Sequence, residues 1–164
     1  MKRVLITGMS ATGKSSIITE LSARGFEAVD LDTPEWSHWV DVDPADTLTP
    51  ATGKDWVWRE DRVRELLSAP REQPLFVSGC AENMERLFPW NGRIVLLSAP
   101  LPTILERLAQ RGPGAYGHSD EERQNVVALI STVEPLLRDS ADFEIATTKS
   151  LSETTDEVAT VVRD

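Results

Sequence analysis

The sequence predicts an α/β domain in which a mostly parallel sheet of five strands is covered by helices on both faces. Short apolar runs rich in β-branched residues recur five times, helical patterns separate most of them, and a glycine-rich loop joins the first strand to the first helix. At 164 residues the chain is long enough for one sizeable core and too short for two comfortable ones, so residues 1–164 read as a single domain.

The elements follow in order. "RVLIT" (3–7) is the first strand, and "KSSIITELSAR" is a helix closed by Gly25. "FEAVDL" (26–31) is the second strand. Residues 33–54, with Pro34, Pro44 and Pro50 around "WSHWVDVD", break the alternation and read as an extended loop or small subdomain. A helix over "DWVWREDRVRELLSA" ends at Pro70, so the insertion spans about 33–70. "LFVS" (75–78) is the third strand, "AENMERLF" a helix closed by Pro89, and "RIVLLS" (93–98) the fourth strand. "PTILERLAQR" is a helix closed by Gly112, and "RGPGAYGHSD" after it carries three glycines, which suggests a lid over about 111–123. Residues 120–138 put Val126, Ile130, Val133 and Leu137 on one face of a single helix bent at Pro135. "DFEIAT" (142–147) is the fifth strand. In the last helix Ser150 and Glu153 have capping-box spacing before Val158, Val161 and Val162.

Composition narrows the function. Apolar runs of only a few residues suggest no membrane span, and "MKRVLITG" lacks the pattern of an export signal. Cys80 is the lone cysteine, so no disulfide framework or structural zinc set is expected and a reduced, cytoplasmic protein is the default. A formal charge of −10 without a basic run disfavours a nucleic-acid partner and favours a small molecule. Oligomeric state is not legible here.

Gly8-Met9-Ser10-Ala11-Thr12-Gly13-Lys14-Ser15 matches G-x-x-x-x-G-K-[ST] after a strand and before a helix, which is the context its mechanism needs. Backbone N–H groups converge on phosphate oxygens there, and the helix N-terminus adds a favourable dipole. Lys14 can reach the β- and γ-phosphates, Ser15 can ligate Mg²⁺, and Ser16 falls near the α-phosphate. A second string, "ATGKDW" (51–56), lacks the upstream glycine and the following hydroxyl, and reads as a turn.

With these residues in view, the chain resembles the short P-loop kinases related to shikimate kinase, gluconate kinase and adenylate kinase. The likeness rests on "ITGMSATGKSS", "VDLD", "FVSGC" and "ILERLAQR" before a glycine-bearing lid. It implies a three-layer P-loop fold with strand order 2-3-1-4-5, a substrate-binding subdomain, a mobile lid, and ATP with Mg²⁺. It also implies that Asp30 lies on the magnesium side with Ser15, and that Asp32 binds the acceptor and can take its hydroxyl proton. Asp32 has a second reading, as the cap of the turn at Thr33-Pro34. Arg107 would sit against adenine, Arg111 would reach the phosphates on lid closure, and Thr147 would contact the base; both arginines also suit a helix C-terminus. Arg123 belongs either to this set or to a solvated face.

On the acceptor side stand Trp36, Arg59, Arg62, Gly79 and Cys80. Arg59 or Arg62 could bind an anionic acceptor or form surface ion pairs. Trp36, Trp39, Trp56 and Trp58 crowd the insertion with His38, either as core or as a flat wall for a ring. The leading expectation is transfer of the γ-phosphoryl group to a hydroxyl of a metabolite or antibiotic. A nucleoside monophosphate kinase would usually show Asp-Gly-x-Pro-Arg where "VSGCAEN" stands, and shikimate kinase a run of three glycines. An atypical nucleotide kinase and a nucleotide switch or ATPase without transfer are the alternatives, with a polynucleotide 5′-kinase disfavoured by charge.

Overall fold

The computed structural model describes residues 3–47, 53–115 and 117–163. Pro50, the Ala51-Thr52 half of the second lysine-bearing string, and Tyr116 of the expected lid lie outside them. The central sheet is built from β1 (Arg3–Thr7), β2 (Glu27–Asp30), β5 (Leu75–Ser78), β6 (Arg93–Ser98) and β7 (Phe143–Ala146), in the order β2-β5-β1-β6-β7 with every pair parallel. Counted among themselves along the chain, these five strands run 2-3-1-4-5. The order in which strands are added reverses beside β1, and such a switch point opens a crevice at the carboxyl ends of the strands.

Alternation along β1 divides the core. Val4 and Ile6 pack with Ile17, Ile18 and Leu21 of α1 (Lys14–Ala23) and Val158 of α6 (Leu151–Thr160). Leu5 faces the opposite layer, with Trp58, with Val63 and Leu67 of α2 (Glu60–Ser68), and with Leu87 and Leu137. A third cluster joins Ala11 to Ile104 and Leu108 of α3 (Leu101–Ala109) and to Val126 of α4 (Asp120–Thr132). Among the described residues no helix is long and apolar enough to cross a membrane.

Three elements differ from expectation. Residues 55–58 are not helical: β4 (Lys54–Trp58) pairs antiparallel with β3 (Ser37–Asp41), inside the stretch expected to be irregular, and α2 begins only at Glu60. Trp56 and Trp58 point to one side and Val57 to the other, so pairing satisfies the backbone while burying aromatic area. Residues 84–90 form a 3₁₀ segment, because Pro89 lacks the donor an α-helix would need and spacing by three buries both Met84 and Leu87. The expected single helix over 120–138 is two, α4 and α5 (Glu134–Ser140), meeting at Val133; Pro135 falls in the first turn of α5, where its missing N–H costs nothing.

Candidate active site

The loop after β1 folds back over its own helix. Gly13, the N-cap of α1, has φ 102°, a left-handed conformation that glycine tolerates, and Ala11 is also left-handed at φ 63°. The Thr12 hydroxyl donates to the Met9 carbonyl at 2.7 Å, tightening the turn. Lys14 Nζ donates to the carbonyls of Gly8 (2.6 Å) and Met9 (3.0 Å), so its charge is held across the mouth of the loop. Ser10, Ala11, Thr12, Gly13, Lys14, Ser15 and Ser16 line a cavity of about 560 Å³, together with Asp32, Arg107, Arg111 and Thr147. Eleven expected site residues therefore share one space at the switch point.

Two carboxylates, Asp30 at the end of β2 and Asp32 two residues beyond it, are held differently. Asp30 Oδ2 accepts from Ser15 Oγ at 3.0 Å, while its Oδ1 accepts from the Asp32 backbone N–H at 2.9 Å. This oxygen pair suits a hard cation whose other ligands come from phosphate and water. Asp32 is held from the opposite side: the indole N–H groups of Trp56 (3.3 Å) and Trp58 (3.4 Å) donate to Oδ1, and the Cys80 backbone N–H donates to Oδ2 at 3.0 Å. Burial pushes the Asp32 carboxyl above its ordinary value, and the Lys14 cation pulls against that rise. Gly79 makes room, since a Cβ there would meet Asp32 Oδ1 at 2.9 Å and the Trp58 ring at 3.1 Å. Cys80 is a half-buried thiol pushed up by desolvation, which leaves it a poor nucleophile.

Arg107 joins three parts of the chain. Its Nη1 donates to the Ala11 carbonyl (2.9 Å) and Thr147 Oγ1 (3.0 Å), and its Nη2 donates to the Thr147 carbonyl (2.6 Å). Arg59 and Arg62 stand elsewhere, lining a second cavity with His38 and Asn83 that does not include Asp32. Arg59 donates to the Pro34 carbonyl (3.3 Å) and lies 3.2 Å from His38 Nδ1, and Arg62 donates to the Glu35 carbonyl (2.7 Å). Trp36 is half-buried against the core. Arg123 fastens the loop before α4, donating to the His118 carbonyl at 2.7 Å and pairing with Asp120, while His118 Nδ1 donates to the Arg111 carbonyl at 2.7 Å.

A family model described as an AAA domain matches residues 4–127, which covers β1 through most of α4. The chain belongs to that family. Among solved structures, this AAA-domain chain is similar to shikimate kinase from Acinetobacter baumannii in complex with shikimate, at 17% identity and TM-score 0.66, over 99% of this chain and 93% of that one. It is similar to a sugar kinase from Janibacter sp. at 16% identity and TM-score 0.55, over 99% and 95% of the two chains. Shikimate kinase from Aquifex aeolicus matches at 17% identity and TM-score 0.56, over 98% and 96%. No curated protein sequence matches. The fold is thus that of the P-loop kinases of the shikimate kinase group.

Within this AAA-domain fold the cavity has walls that sequence reasoning missed. Ile17, Gln110, Lys149, Leu151 and Thr154 complete its lining. Gln110 lies between Arg107 and Arg111, and Lys149 two residues after Thr147, which was expected at the base, so position gave a signal there. Nothing in the pattern marked Thr154, which faces the cavity from the first turn of α6.

Proposed function

We propose that the protein transfers the γ-phosphoryl group of ATP to a hydroxyl of a small molecule. One observation carries the reading: the phosphate loop with Lys14 and the half-buried carboxylate of Asp32 open into the same cavity. A phosphate cradle alone fits any nucleotide-binding protein, whereas a desolvated carboxylate facing it supplies what an alcohol acceptor needs. The likeness to shikimate and sugar kinases supports the same class.

In this reading Lys14 leaves the Gly8 and Met9 carbonyls for the β- and γ-phosphates, and the loop N–H groups hold the rest of the chain of phosphates. Asp32 orients the acceptor hydroxyl and takes its proton as the oxygen attacks the γ-phosphorus. The bond from that phosphorus to the β,γ-bridging oxygen breaks, and its electron pair leaves with ADP. Ser15 and Asp30 would hold Mg²⁺, which neutralises phosphate charge when bound. Arg107 positions the base-side wall, and Arg111 at the lid base adds charge near the transferring group.

The test is phosphoryl transfer from labelled ATP to nucleoside monophosphates, sugar acids, shikimate-like alcohols and hydroxylated antibiotics, with products read by mass spectrometry. Transfer is expected to one class and to fall at least about 100-fold in Lys14→Ala. Label released only as free phosphate, at a rate no acceptor changes, would overturn the reading in favour of a nucleotide switch.

A further inference from the structure

The β3–β4 hairpin presents an aromatic face to the site. Its register pairs Ser37 with Trp58 and Trp39 with Trp56, so these four side chains share one side. Ser37 Oγ donates to the Leu31 carbonyl, and both indole N–H groups of Trp56 and Trp58 reach Asp32 Oδ1, which fixes that side against the end of β2. From there the surface runs outward. Trp58 is buried, Trp56 half-buried, and Trp39 is 60% exposed with its ring 5.1 Å from that of Trp56 at 58°. A continuous aromatic wall therefore begins at the carboxylate that faces the phosphate loop and ends in solvent.

On this face the next cross-strand pair is Asp41 with Lys54, an ion pair at 3.3 Å whose charges offset one another, and Asp32 stands at the inner end. The Trp56 carbonyl accepts the Glu82 N–H at 3.1 Å, which brings Glu82 beside the strand that carries Asp55. Burial first, and the Asp55 charge second, push the Glu82 carboxyl upward, so the two carboxylates feel one another. Arg59 and Arg62 give their guanidinium groups to the Pro34 and Glu35 carbonyls and to His38, on the outer side of the hairpin. An anionic acceptor on the wall would meet the Asp32 carboxylate, with both of these arginines committed elsewhere and Lys54 paired with Asp41.

We propose that the acceptor is an uncharged or cationic aromatic alcohol, with its ring against Trp39 and Trp56 and its hydroxyl on Asp32. This rests on the kinase reading and names the chemistry of its acceptor. Faces of tryptophan attract rings and cations alike, and a positive group there also faces the Asp32 carboxylate.

Three probes of similar size separate the possibilities: phenylglycinol (an ammonium), phenethyl alcohol (uncharged) and tropate (a carboxylate), each carrying a phenyl ring and a primary hydroxyl. Affinity is read by tryptophan fluorescence with a non-hydrolysable ATP analogue and Mg²⁺ present, and transfer from labelled ATP is read separately. Phenylglycinol and phenethyl alcohol are expected to bind about tenfold more tightly than tropate. Trp39→Ala, at an exposed position, is expected to weaken both about threefold to tenfold, with circular dichroism checking the fold. Tropate binding as well as the others, no probe binding at all, or unaltered affinity in Trp39→Ala would overturn the inference while leaving Lys14-dependent transfer to other acceptors intact. The expected binding order without transfer to any alcohol would support the aromatic subsite and sink the kinase reading instead.

Discussion

Asp32 shows how one side chain can be both a liability and a tool. Its carboxyl normally titrates near 3.8, and burial raises that value while Lys14 and the Cys80 N–H moderate the rise. Because the folded protein binds this proton more tightly than the unfolded chain, the stability it contributes is full below 3.8 and is lost as pH rises through the raised value. In the proposed reaction the dependence runs the other way, since only the ionised form accepts a proton. The acid limb of kcat/KM is therefore expected above the ordinary carboxylate range, and Asp32→Asn should lower kcat by about 10²–10⁴-fold with little effect on ATP affinity. A pH–rate profile of both proteins checks this; a limb near the ordinary value, or normal turnover in the variant, would make Asp32 a turn residue. The D-x-D spacing was legible in the sequence, and so was its place beside the phosphate loop. The raised proton affinity was not, because the tryptophans that bury Asp32 stood in a stretch whose spacing read as helix.

That stretch is the main failure of pattern reading at the scale of elements. Residues 56–67 place Trp56, Arg59, Val63 and Leu67 at helical intervals, and the true strand contributes only a Trp-Val-Trp alternation too short to compete. Its partner β3 lies beyond a proline-bearing connection, so the pairing that decides the matter is invisible to a local window. The hairpin is fastened by a residue that no motif marked. Asn83 Oδ1 accepts the Trp58 N–H at 2.8 Å, and Asn83 Nδ2 donates to the Trp58 carbonyl at 2.9 Å. Trp58 is buried, so removing this amide orphans both backbone groups. Asn83→Ala is expected to cost about 1–3 kcal/mol in denaturant unfolding and to raise the KM for the acceptor more than that for ATP. Equal effects on both substrates would mean that the hairpin does not hold the acceptor side.

Across the whole molecule, the nucleotide cavity draws on chain segments that are far apart in sequence. The loop after β1, the end of α3 and the segment from Thr147 into α6 all line it, and Arg107 ties the first to the last. Alternating strands and helices plus one glycine-rich loop were enough to anticipate the parallel sheet and the end of it that carries the site. The bond from Arg107 to both Ala11 and Thr147 could not be anticipated, since spacing carries no information about which loops meet. A ligand seated among these segments stabilises all three at once, so binding should be readable as stability. At an ATP·Mg²⁺ concentration about 100 times its Kd, the gain is about 2.7 kcal/mol. For a chain of this size that corresponds to a rise in Tm of roughly 5–10 °C. Lys14→Ala should lose most of the rise while largely keeping the unliganded Tm, because among the described residues the Lys14 ammonium donates to the Gly8 and Met9 carbonyls of its own loop. Arg107→Ala should lower the unliganded Tm as well, because it breaks the tie between loops. A full rise in Lys14→Ala would remove the phosphate loop from nucleotide binding, and an unchanged unliganded Tm in Arg107→Ala would show that the cavity is assembled without its clasp.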